Sequence, residues 1–330
     1  MLREHMKRID VRSIPDTKDE IRAFLVVRNE ELRLPSTLRH HRSLGVHRFF
    51  VLDNKSTDGT LDYLAAQPDV HVFSTSERYS QSHYGIVWAN ELLNEFGKGH
   101  WTLTIDADEQ FIYPHYEQVR LPLFCRYLDD IGAEAVPCLL LDMYSDAAVQ
   151  DGVHYPSNSL LGTCGYFDLA PYRITRVTAC PYLEIYGGVR ERIFQKVGAD
   201  YHPPTISKVP LVKWKSGMEF LCSTHFLSTA RISPILATLL HFKFLSDFHE
   251  RVQVEVARGE HFAGAREYRA YLEMLRAHGR VTLICDQSVK FESSAQLMRL
   301  GLMATAKSYE EFIQSTTATC LAPAKLARAV

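Results

Sequence analysis

A chain of 330 residues, 46% hydrophobic and 23% charged, has the make-up of an ordinary globular protein with room for one large domain or two. Its formal net charge of -2 supplies no basic field to gather nucleic acid, so no nucleic-acid partner is expected. Seven cysteines, an odd number with no CxxC pair, argue against a disulfide framework or a structural zinc site.

The first residues are charged with no apolar core behind them, so no signal peptide is expected. No apolar run approaches the roughly 20 residues of a membrane span. A cytoplasmic protein is the default expectation, with peripheral membrane association compatible.

Residues 1–19 read as a polar lead-in. Ile21-Arg22-Ala23-Phe24-Leu25-Val26-Val27 is the near-continuous apolar run of a strand buried on both faces, and it ends in Arg28-Asn29-Glu30. Pro35 opens a helix that runs to Leu44 and stops at Gly45. A second strand over 48–52 ends in Asp53-Asn54, and Ser56 reads as the N-cap of a helix through Leu61 and Leu64. A third strand covers 70–73 and a helix covers 85–96, closed by Gly97 and Gly99.

The fourth strand, Trp101-Thr102-Leu103-Thr104-Ile105, runs into Asp106, Asp108 and Glu109. Three acids crowded at a strand end are unfavourable unless something positive sits among them, and a hard divalent cation is the common answer. The plain alternative is a solvated acidic turn. Alternating strands and helices predict a mostly parallel sheet flanked by helices, with ligands bound beyond the carboxyl ends of the strands. Three polar clusters, Arg28-Asn29-Glu30, Asp53-Asn54 and Asp106–Asp108, fall at such ends.

Beyond Tyr113 the pattern loosens. A strand is expected over 133–144, long loops over 145–182, helical spacing over 236–256, an amphipathic helix over 267–278 stopped by Gly279, and a loosely packed tail from about 310. Asp58-Gly59 within Asn54–Thr60 is not an EF-hand, because the twelfth position is Ala65 where a bidentate Glu is required.

Taken together, Val26-Val27-Arg28-Asn29-Glu30, Asp53-Asn54-Lys55-Ser56-Thr57-Asp58-Gly59-Thr60 and Ile105-Asp106-Ala107-Asp108-Glu109-Gln110-Phe111 resemble the family 2 glycosyltransferases of GT-A fold, closest to their DxDE branch. The resemblance spans roughly residues 20–115. It implies a GT-A-like α/β domain over 18–255, with 256–330 as a helical C-terminal extension. It implies metal-dependent transfer of a sugar from a nucleoside diphosphate-sugar to an acceptor hydroxyl.

In that reading Val27, Arg28, Glu30 and Asp53 hold the nucleoside, while Asp106 and Asp108 bind Mn²⁺ or Mg²⁺ against the diphosphate. His241, in His241-Phe242-Lys243-Phe244, resembles the late histidine that completes the metal shell, with His225 as the alternative. Gly187 and Gly188 resemble a glycine-rich loop near the donor sugar. Family members often carry an acidic pair about a dozen residues later as general base; none is present here, which leaves Glu191, or alternatively Asp200.

Lys208 and Lys213–Lys215 read either as phosphate contacts or as solvated charges. Two rival readings are a sugar-phosphate nucleotidyltransferase, disfavoured by the lack of Gly after the first strand, and a non-catalytic sugar- or nucleotide-binding module. A DxDx(T/V) phosphatase is disfavoured by Gln110.

Overall fold

The computed structural model describes residues 5–176, 183–197 and 203–321. In chain order the strands are β1 (Met6–Arg8), β2 (Ile21–Val27), β3 (Arg48–Asp53), β4 (Val70–Thr75), β5 (Trp101–Thr104), β6 (Glu109–Ile112), β7 (Ala135–Asp142), β8 (Tyr166–Asp168), β9 (Tyr172–Arg176), β10 (Leu183–Gly187), β11 (Ser207–Lys213), β12 (Ala237–His241) and β13 (Ser288–Lys290). The helices are α1 (Leu34–Leu44), α2 (Thr60–Ala65), α3 (Ile86–Phe96), α4 (Leu121–Asp130), α5 (Leu160–Thr163), α6 (Gly188–Val197), α7 (Phe248–Arg258), α8 (Phe262–His278), α9 (Ser294–Arg299) and α10 (Lys307–Leu321).

Nine strands form one sheet in the order β1-β4-β3-β2-β5-β11-β7-β12-β6. β4, β3, β2, β5, β7 and β12 run one way, and β1, β11 and β6 run the other. The fold is therefore mixed α/β with a mostly parallel central sheet flanked by helices. The alternation along β2 shows how the sheet is packed. Ala23, Leu25 and Val27 enter a core with Leu34 and Leu38 of α1. Phe24 enters the opposite core with Phe50, Trp88 and Leu92, stacking on Phe50 at 5.0 Å. A third core joins α6, α7 and α8 through Val189, Phe194, Phe248 and Tyr271.

Most early elements fall where the sequence puts them, including the α1 stop at Gly45 in the left-handed region (φ 110°). Four expectations are corrected. Ser56 does not cap α2: Gly59 is the cap residue, and the Ser56 hydroxyl accepts the Asn29 N–H at 2.9 Å while Asp58 accepts the Thr60 N–H at 3.0 Å. Residues 236–256 are not one helix but β12 and then α7. Ala237–His241 is buried on both faces, and a short apolar run of that kind carries no period to separate strand from helix. Gly187 and Gly188 do not form a loop, because they end β10 and begin α6. The segment from 307 to 321 is helical, with Tyr309 fully buried against Phe124 and Tyr127.

Candidate active site

Because β2, β3, β5, β7 and β12 are parallel, Val27, Asp53, the Asp106–Glu109 turn, Asp142 and His241 all arrive at one sheet edge. Pairing sets the neighbours there: His241 lies opposite Asp142 on one side and Glu109 on the other. A cleft of about 220 Å³ opens at this edge, lined by Val27, Arg28, Glu30, Asn54, Asp106, Asp108 and His241. Lys243, Arg251, Arg258, His261, Glu267 and Tyr268 complete it from the far end of the chain.

Each acid of the turn has a distinct setting. Asp106 Oδ2 accepts from Lys208 Nζ at 2.7 Å, and Glu109 Oε1 accepts from the same ammonium at 2.5 Å. Glu109 Oε2 also accepts the Asp106 N–H at 3.0 Å, closing the turn. Glu109 is fully buried, and burial pushes its carboxyl up to about 7 against the pull of Lys208. Asp108 faces His241, with Oδ2 at 3.4 Å from Nε2. Burial works to raise the Asp108 carboxyl, but His241 and then Arg251 hold it well below the usual carboxylate range.

His241 is itself oriented from behind. Its Nδ1 lies 2.5 Å from Asp142 Oδ1, and Arg190 grips the same carboxylate at 2.6 and 3.1 Å. With Nδ1 donating to Asp142, Nε2 points at Asp108. Burial opposes a charge on His241, while Asp108 and Asp142 together lift it above its ordinary range.

The Asp108–His241 separation can be compared with the spacing of two ligands on one divalent cation. Two donors on one octahedral ion with ~2.1 Å bonds stand about 3 Å apart, close to the Asp108–His241 separation. Among the described residues no group of three or more His, Cys, Asp or Glu side chains is arranged to cage a metal. An ion held here would have Asp108 and, once Nε2 has lost its proton, His241 as protein ligands, with water and phosphate oxygens in its other positions.

Of the expected nucleoside contacts, Val27, Arg28 and Glu30 line the cleft and Asp53 does not. Asp53 Oδ2 accepts the Ser56 N–H at 3.1 Å, while its buried Oδ1 has no partner. Glu30 is paired with Arg251, and Arg33 reaches it at 3.7 Å. Arg28 donates to the Asn54 and Lys55 carbonyls at 2.7 and 2.8 Å, and no carboxylate among the described residues bonds to it. Burial, and then the Arg258 guanidinium nearby, depress its pKa, the mark of two cations sharing one cleft. The cleft also holds Glu255, which pairs with Arg258 at 2.7 Å.

The other expected residues fall elsewhere. Gly187, Gly188 and Glu191 line neither this cleft nor the one beside it. A Cβ on Gly187 would stand 2.3 Å from the Pro171 carbonyl oxygen, so this glycine is required by hairpin packing. Glu191 Oε1 is held by Arg173 at 2.7 Å and Gln195 at 3.1 Å, and its buried Oε2 has no partner. Asp200 lies outside the described residues. His225 Nδ1 is tied to the Ser207 carbonyl, and burial pushes the ring down to about 4. It lines the neighbouring cleft and not the one holding Asp108 and His241. Lys213 and Lys215 pair with Asp129 and Glu134 away from the cleft.

Sequence reasoning passed over Asp142, Arg190, Arg251 and Glu267. Asp142 had a readable signal, being a carboxylate at the end of an expected strand. Glu267 had none: it lines both clefts from α8, with Oε1 accepting from Lys243 and the Tyr271 hydroxyl at 2.8 Å each. Burial acts to raise its carboxyl, but Lys243 and Arg190 hold it low.

No family model matches the chain, and no curated protein sequence matches it. Among solved structures the chain is similar to Staphylococcus aureus TarS (residues 1–349) at 14% identity and a TM-score of 0.35, over 78% of this chain and 71% of that one. It is similar to the glucosyl-3-phosphoglycerate synthase of Mycobacterium tuberculosis in complex with phosphoglyceric acid at 22% identity and a TM-score of 0.24, over 41% and 47% of the two chains. It is similar to the UTP-bound UGPase of Acinetobacter baumannii at 9% identity and a TM-score of 0.28, over 90% and 99%.

Proposed function

We propose that the protein is a metal-dependent glycosyltransferase that takes its sugar from a nucleoside diphosphate-sugar. The observation that carries the reading is the convergence of Asp106, Asp108 and His241 with Arg28 and Arg258 in one cleft at the carboxyl edge of a parallel sheet. A divalent ion on Asp108 and His241, with Asp106 beside it, would neutralise the charge that builds on the departing diphosphate. Asp142 and Arg190 hold the imidazole in the orientation that this requires. Arg28 supplies further positive charge to the phosphates, while Arg258 is paired with Glu255.

In transfer the acceptor oxygen bonds to the anomeric carbon as the bond from that carbon to the diphosphate oxygen breaks. The electron pair leaves with the nucleoside diphosphate. The carboxylate that lines both clefts, Glu267, is the one we assign to take the hydroxyl proton.

Calorimetric titration of UDP and GDP, each with and without Mn²⁺, tests the reading. One nucleotide is expected to bind only with the metal, and Asp108→Asn and His241→Gln should each weaken that binding at least 10-fold. Equal binding with and without metal in all three proteins would remove the metal's role, and no nucleotide binding would remove the transferase.

A further inference from the structure

A second cleft, of about 570 Å³, shares a wall with the first, formed by Val26, Tyr79, Asp106, His261, Glu267 and Tyr268. Its character is different. It runs between β2 and α3, where Phe24, Leu25, Ile86 and Leu92 line it. Ile86 and Ala89 of α3 face the open volume, whereas Phe24 and Leu92 are closed core beneath it and the Leu25 side chain packs on the α1 face of the sheet. At the mouth Tyr84 and Phe262 meet edge to face at 5.7 Å, and Phe262 is 75% exposed.

Polar groups on its walls cluster near the shared boundary and along 222–225. Thr104 lines this cleft, and its buried Oγ1 has no hydrogen-bond partner among the described residues. A buried hydroxyl without a partner is costly, and it marks a position that a ligand's polar atom fills. A saccharide body would need hydroxyl partners along its whole length, and the β2–α3 walls offer none.

We infer that this second cleft binds an amphipathic alcohol, with its hydroxyl at Thr104, Asp106 and Lys208 and its apolar body between β2 and α3. This rests on the nucleotide-sugar reading for the role of acceptor, and the cleft's preference for an apolar body stands apart from it. The shared wall, which includes Asp106, then places the acceptor hydroxyl beside the donor cleft. The Tyr84–Phe262 contact lies across the route by which the apolar end enters.

Octyl and methyl β-D-glucopyranoside carry the same head and differ only in the apolar body. Titrated below the micelle concentration and read by saturation-transfer NMR on the full chain, the octyl compound is expected to bind at least 100-fold tighter. Ala89→Leu, which adds bulk inside the cleft from α3, should weaken it at least 10-fold and leave UDP–Mn²⁺ or GDP–Mn²⁺ binding unchanged. Cys222→Trp, at an exposed lining position, serves the same purpose should the core variant fail to fold. Equal affinity for the two glucosides, no loss in a folded variant, or displacement of the octyl compound by nucleotide would each overturn the inference. Absence of nucleotide binding in the unaltered protein would sink the donor reading while leaving the octyl preference as measured, so the two failures are separately visible.

Discussion

His41 gives a prediction whose size follows from two hydrogen bonds. The ring is fully buried between α1 and β6, its Nδ1 donating to the Thr37 carbonyl at 2.8 Å and its Nε2 accepting the Phe111 N–H at 3.1 Å. Both ring positions are fixed, so a second proton would set two donors against each other. Burial, and then the neighbouring His40, hold the folded pKa well below 6.5. The unfolded chain therefore binds the extra proton first, and stability falls as pH drops below 6.5. The slope is about 1.4 kcal/mol per pH unit, or roughly 2 kcal/mol at pH 5. His41→Gln removes this contribution and weakens the bond to Phe111, at a cost of about 1–3 kcal/mol at pH 7.5. The gap between the two proteins should then narrow by roughly 2 kcal/mol at pH 5, read from urea unfolding at both pH values. His40 is common to both proteins and cancels. An unchanged gap would refute the assignment of a neutral, doubly anchored imidazole.

Two further outcomes are expected. Lys208→Met leaves Glu109 buried without its counter-ion and should cost about 3–5 kcal/mol at pH 8, most of it recovered by adding Glu109→Gln; a single-variant loss below about 1 kcal/mol would show that Lys208 is not the partner that matters. Gly187→Ala, at φ 146° against the Pro171 carbonyl, should lower thermal stability by about 2 kcal/mol or more and leave nucleotide binding intact. Loss of donor binding without loss of stability would instead put Gly187 at the sugar.

The early sheet was legible because β2 to β5 alternate with α1, α2 and α3, and because strand ends coincide with polar clusters. The same rule reaches Asp142. Beyond that the sequence is silent for a physical reason. Lys208 neutralises Asp106 and Glu109 from about 100 positions away, and Glu267 enters the clefts from a helix whose surface pattern reads as ordinary amphipathicity. β12 was hidden because a strand covered on both faces loses its two-residue rhythm. Asp53 draws notice because it ends a strand; one carboxylate oxygen closes the turn to Ser56, and the buried other has no hydrogen-bond partner among the described residues.

Three ion pairs, Arg33–Asp247, Arg251–Glu30 and Arg78–Glu260, fasten α7 and the turn beyond it to the amino-terminal strands. Their partners are 214, 221 and 182 residues apart along the chain. Closing loops of that length is slow and pays its entropy before any contact forms. A chain still emerging from the ribosome, with residues 20–115 complete, would carry the whole acidic motif yet no cleft wall facing it. The cleft is thus complete only when residues 241–268 lie against the strand ends of residues 20–115.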